Sequence, residues 1–142
     1  MDSPPNPTPG RKALGFRPAM RVKSGSDFQR AYRDGNRARG SIMVVVACPN
    51  GLAFSRLGLS VGRRIWKNAV RRNRVRRVFR EAFRLGYPEL PAGYDFVLIP
   101  AVPKLWPEVQ AVQRELTTLG HKAVRRCIER AEKDAAAQEQ AS

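Results

Sequence analysis

The chain is poor in the residues that protein catalysts use. Its one histidine, His121, has no serine or cysteine placed to partner it, so it reads as a surface or packing residue and not as a base. Acids number 12 and are scattered, with Asp95 inside a strand-like run and Glu108 and Glu115 on a helix-like one. No cluster has metal-ligand spacing, and no glycine-rich loop is built to cradle a phosphate. The two cysteines, Cys48 and Cys127, form no CxxC pair; free thiols in a reducing cytoplasm are the simpler expectation, and a disulfide stays open by parity. No apolar run approaches the ~20 residues of a membrane span. The opening Met1-Asp2-Ser3-Pro4-Pro5 lacks the basic-then-apolar order of a signal peptide. These absences point to a cytoplasmic chain with no membrane partner, no small-molecule cofactor and no catalytic residues of its own.

What the sequence has is positive charge. Against the 12 acids stand 27 lysines and arginines in 142 residues, a formal net charge of +15. A polyanion relieves such self-repulsion, and nucleic acid is the usual one, with anionic membranes the less common choice. The arginine bias fits RNA, because a guanidinium forks onto phosphate oxygens and stacks on bases whereas an ammonium is a point charge. With 42% apolar residues, one compact domain remains feasible.

Residues 1–18, rich in proline, read as a disordered tail, 19–131 as one folded domain, and 132–142 as a fraying end. Ser24 and Asp27 form a helix start ahead of Phe28, Ala31 and Tyr32, and Gly35 stops the run. The β-branched run from Ile42 to Cys48, a turn at Pro49-Asn50-Gly51 and the alternating run from Arg56 to Gly62 suggest an antiparallel hairpin. A helix from Asn68 to Arg84, a strand from Tyr94 to Pro100 and a helix from Pro107 to about Arg130 complete the chain. The order fits an α+β sandwich, one sheet covered on one face by helices.

The stretch from Arg63 to Arg84 carries the strongest functional signal. On a helical projection Val75, Val78, Phe79, Ala82 and Phe83 share one sector, and Asn73, Arg76, Arg77, Arg80 and Arg84 the opposite one. A basic helix face is often only a solvated surface. Here Glu81 is the only acid available to offset the arginines, so their repulsion calls for an external phosphate backbone.

The run Arg72-Asn73-Arg74, with Ala69 before it and Val75-Arg76-Arg77 and Arg80-Glu81 after it, resembles the Arg-Asn-Arg signature of the bacterial ribonuclease P protein component. The resemblance extends through Phe28-Gln29-Arg30-Ala31-Tyr32, Gly58-Leu59-Ser60-Val61, the pair Arg63-Arg64 and Tyr94-Asp95-Phe96-Val97, covering about residues 20–130. It implies a four-stranded mixed sheet with a left-handed βαβ crossover, the ribosomal protein S5 domain 2-like fold. It further implies a subunit that assists an RNA catalyst, one protein per RNA, in Mg²⁺-dependent removal of the five-prime leader from precursor tRNA, with the Mg²⁺ held mainly by RNA. Carried over residue by residue, Arg63, Arg64, Arg71, Arg72, Asn73, Arg74, Arg76, Arg77 and Arg80 would face the catalytic RNA. Phe28, Tyr32 and Arg56 would line a cleft for the leader.

Taken without the resemblance, Phe28 and Tyr32 read first as core packing against the sheet; the resemblance reverses that preference and makes them a stacking platform that accepts any base. The chain departs from the family pattern at Val46, where an aromatic is common, and around Trp66, where a glycine usually precedes the helix and the indole reads as a core plug. A structural RNA-binding protein of ribosomal type is the alternative. A protein-only nuclease lacks the clustered acids it would need, and a DNA-binding regulator lacks a helix-turn-helix partner.

Overall fold

A computed structural model of the chain describes residues 20–62, 68–101 and 108–141. The expectations placed on residues 1–18, on Arg63 and Arg64, and on Trp66 lie outside the described residues. Helix α1 (Gly25–Asp34) leads into strands β1 (Asn36–Arg39), β2 (Met43–Pro49) and β3 (Arg56–Leu59). Helix α2 (Ala69–Gly86), a 3₁₀ turn at Tyr87–Glu89, strand β4 (Tyr94–Pro100) and helix α3 (Val109–Ala141) follow.

The four strands form one mixed sheet in the order β1-β2-β4-β3, with β3 parallel to β4 and the other pairs antiparallel. The order corrects the hairpin expected between residues 42–48 and 56–62, because β4 lies between β2 and β3. β2 and β4, buried almost throughout, take the central positions, while the short β1 and β3 form the edges. The intervening loop is organised instead by Asn50, whose Oδ1 accepts from the Leu52 amide (2.8 Å) and whose Nδ2 donates to the Phe54 carbonyl (3.1 Å). β1 escapes a hydrophobic-pattern reading because Ala38 is its one buried residue. The parallel β3–α2–β4 crossover implied by the resemblance is present.

Helices lie on both faces, which corrects the single covered face. On one, Met43, Val45, Ala47, Phe96 and Leu98 meet Val75, Phe79 and Phe83 of α2 and Val112, Leu116 and Leu119 of α3. On the other, Val46, Cys48 and Val97 lie under Ala31, Phe28 and Tyr32 of α1. The two cysteines are free and buried in these two separate clusters. α3 runs on past Arg130 through Ala141, and its residues beyond Ile128 are exposed. The alanine, glutamine and glutamate run there favours helix without any packing partner. Among the described residues no helix is long and apolar enough to cross a membrane.

α3 also fixes the β1–β2 turn. Glu115 Oε1 accepts from the Ser41 amide (2.7 Å) and hydroxyl (2.8 Å), and Oε2 from the amides of Ile42 (2.8 Å) and Met43 (3.1 Å). Four donors on one carboxylate hold the start of β2 rigidly. Gly40 is needed beside it, since a Cβ there would fall 2.5 Å from Oε1.

Candidate nucleic-acid interface

α2 starts where Asn68 caps it, its Oδ1 accepting from the amides of Val70 (2.8 Å) and Arg71 (3.4 Å). Its apolar stripe anchors it: Val75, Phe79, Ala82 and Phe83 are fully buried, each large side chain contributing roughly 1.5–3 kcal/mol. The other face is turned out, with Arg71, Asn73, Arg74 and Arg77 exposed and Arg72, Arg76, Arg80 and Arg84 half-buried. Arg84 pairs with Glu81. Arg76 Nη1 donates to Asn73 Oδ1 at 3.3 Å. Among the described residues no carboxylate lies within salt-bridge reach of Arg76, Arg77 or Arg80. Burial, and then the like charges of Arg21, Arg76 and Arg77, push the Arg80 guanidinium below its ordinary value. A bound anion would relieve this repulsion.

The arginine face continues into a cleft of about 260 Å³ lined by Arg21, Val22, Phe28, Leu57, Leu59, Arg76 and Arg80. Arg21 reaches it because the chain before α1 runs parallel beside β3, with the Val22 amide donating to the Leu57 carbonyl at 2.9 Å. Sequence reasoning missed Arg21. No motif surrounds it, and only this short bridge brings it to α2.

Phe28 opens the α1 side of the same cleft. Its ring packs over Gly58, where a Cβ would fall 2.9 Å from Cε1, and lies 6.4 Å from the Tyr32 ring at 36°. Both aromatics are half-buried, so they pack on the sheet and still present an accessible edge. Val46 is fully buried beneath α1 and offers no ring.

Arg56 is not turned out toward solvent. Its Nε and Nη2 donate to Asp95 Oδ1 and Oδ2 at 2.7 and 2.6 Å, because the parallel register sets Arg56 directly opposite Asp95. The bidentate pair raises the Arg56 pKa. Arg30 Nη2 (3.0 Å) and Asn50 Nδ2 (3.0 Å) complete the donors to this fully buried carboxylate. The network ties α1 to β3 and β4.

Other candidate groups are engaged elsewhere or buried. His121 is exposed, its Nε2 2.8 Å from the Glu89 carbonyl oxygen. Burial raises both thiol pKa values. Among the described residues no group of three or more His, Cys, Asp or Glu is placed to share a metal ion.

Residues 16–124 match the family model described as Ribonuclease P. The ribonuclease P protein component of Roseiflexus castenholzii is 40% identical over 107 residues, 72% of this chain and 87% of that protein. That of Syntrophobacter fumaroxidans is 42% identical over 88 residues, 62% of this chain and 73% of the relative. Among solved structures, the RNase P protein of Thermotoga maritima is 30% identical with a TM-score of 0.66, covering 72% of this chain and 96% of that one. The Staphylococcus aureus protein is 32% identical with a TM-score of 0.61, covering 70% and 91%. With the crossover, the arginine face of α2 and the aromatic cleft beside it already in place, these matches lead to one conclusion: the chain belongs to the ribonuclease P protein family.

Proposed function

We propose that the chain is the protein component of a ribonuclease P, the accessory subunit of a ribonucleoprotein endonuclease whose catalytic centre is RNA. In this reading α2 lies along the catalytic RNA, and the α1 cleft takes the single-stranded five-prime leader of precursor tRNA. The observation that carries it is the open guanidinium surface of Arg76, Arg77 and Arg80, anchored from behind by Phe79 and Phe83 and continuous with a cleft that Phe28 lines.

The contribution to the reaction is binding free energy. Neutralising phosphates on both RNAs and stacking leader bases on Phe28 favours precursor over the mature product, which has no leader to stack. Mg²⁺ would supply the hydrolytic chemistry, held by RNA phosphates. The buried carboxylate of Asp95 suits it poorly, since its oxygens are already saturated by Arg56, Arg30 and Asn50. By screening repulsion between the two RNAs, the arginines would lower the Mg²⁺ concentration that cleavage needs. One copy per RNA and a cytoplasmic setting complete the reading.

Reconstitution with a bacterial RNase P RNA tests it by measuring precursor cleavage at low Mg²⁺. Phe28→Ala is expected to weaken precursor binding roughly tenfold, within the ~1–3 kcal/mol range of one stacked base. Arg72→Ala/Arg74→Ala is expected to weaken assembly with the catalytic RNA. Equal activity of both variants and wild type would favour a structural RNA-binding role without tRNA processing.

A further inference from the structure

One row of sheet residues, Arg37, Val46, Val97 and Gly58, crosses all four strands beneath α1. Phe28 covers its Gly58 end. At the other end the guanidinium carbon of Arg37 lies 5.8 Å from the centroid of the Tyr32 ring. Tyr32 therefore has a cation over it, and the flat group at this end of the row is a tyrosine and guanidinium together.

We propose that Arg37 is a nucleic-acid-binding residue, its guanidinium forming the stacking surface for a base of single-stranded RNA at the β1 end of the α1 cleft. The proposal rests on the leader-binding reading above and extends that path beyond Phe28 and Tyr32. Arg37 is exposed, and among the described residues neither it nor Arg39, next on the same face of β1, has a carboxylate partner. Its position is fixed. β1 pairs with β2 on one side, Arg126 of α3 donates to the Arg37 carbonyl, and Glu115 clamps the following turn. The neighbour across the strand pair, Val46, is aliphatic and wholly buried, so it adds no stacking surface. A guanidinium held against a ring presents a plane to a base while its edge can still fork to a phosphate, a combination that an ammonium lacks. Arg39, two residues on, is placed to meet the following phosphate.

The test uses the assembled protein and catalytic RNA, titrated with fluorescent precursor tRNAs whose leaders are shortened one nucleotide at a time. Arg37→Ala is expected to weaken binding of the long-leader precursor roughly tenfold. Affinity for mature tRNA and for the catalytic RNA should not change. Arg37→Lys is expected to keep the salt dependence of precursor binding while losing most of the affinity, because it keeps the charge but not the plane. An abasic site at the responding leader nucleotide should weaken wild type by the same factor and abolish its advantage over Arg37→Ala. If wild type discriminates leader lengths and Arg37→Ala does so identically, or if Arg37→Ala weakens precursor and mature tRNA equally, the Arg37 assignment is overturned and the cleft reading stands. If wild type shows no leader dependence at all, the cleft reading fails and takes this one with it.

Discussion

The ring of Phe28 closes on the backbone of Gly58, leaving no room for a methyl group: a Cβ at Gly58 would lie 2.9 Å from Cε1, 3.2 Å from Cζ and 3.3 Å from Val97 Cγ2. A side chain there has to push the ring off the sheet, typically at about 1–3 kcal/mol. Gly58→Ala is therefore expected to lower stability by that amount in urea unfolding and to reduce the preference for precursor over mature tRNA, with assembly on the catalytic RNA unaffected.

Asp95 is a fully buried carboxylate with two arginines on it, so removing its charge leaves cations partly desolvated. Breaking such a pair costs about 3–5 kcal/mol. Asp95→Asn should fall toward the lower end, because Arg30 and Arg56 retain side-chain exposures of 36% and 17%. Chemical denaturation measures the loss, and Arg56→Ala should show a comparable one.

Alkaline pH should destabilise the fold. Burial pushes Tyr87 from 10.0 up to about 12, while its hydroxyl donates to the Ser55 carbonyl at 2.7 Å. Between those values the unfolded chain loses the phenolic proton and the native chain keeps it, so stability present below pH 10 falls as pH rises toward 12. Cys48 and Cys127, raised from 9.0 by burial, add a loss of the same sign that begins lower. Urea midpoints across this range should decline. Tyr87→Phe should flatten the part due to the phenol at a cost of about 1 kcal/mol for the hydrogen bond.

The same burial protects the thiols. Native protein should react slowly with a thiol-specific disulfide reagent, and both cysteines should titrate rapidly once it is unfolded in denaturant. A pair that stayed unreactive in denaturant until reduced would contradict the placement of Cys48 and Cys127 in separate clusters.

Much of this was legible in the residues because α2 states its two faces in its own periodicity: Val75, Phe79 and Phe83 went inward as spaced, and Arg76, Arg77 and Arg80 outward. Phe28 and Tyr32 were likewise visible as a helical pair. Long-range strand pairing was not. β1 carries one buried alanine and left no apolar pattern, and nothing local distinguishes a β2–β3 hairpin from a sheet in which β4 comes between. That missing pairing also hid the partner of Arg56, since Asp95 lies 39 residues away and meets it only through the β3–β4 register. Arg21 and Arg37 were hidden for the same reason, each made relevant by an element distant in sequence.

The salt dependence of assembly with the catalytic RNA tests the central claim most directly, comparing wild type with Arg76→Gln/Arg77→Gln/Arg80→Gln. Each lost phosphate contact should lower the slope of log affinity against log salt by somewhat under one, so the triple variant should bind more weakly with a slope shallower by about two to three. Lys122→Gln/Arg125→Gln/Arg130→Gln, three exposed positions on α3, removes the same number of charges and serves as the control for net charge. An unchanged slope in the triple variant, or an equal drop in the control, would mean that the arginine face of α2 does not lie along RNA.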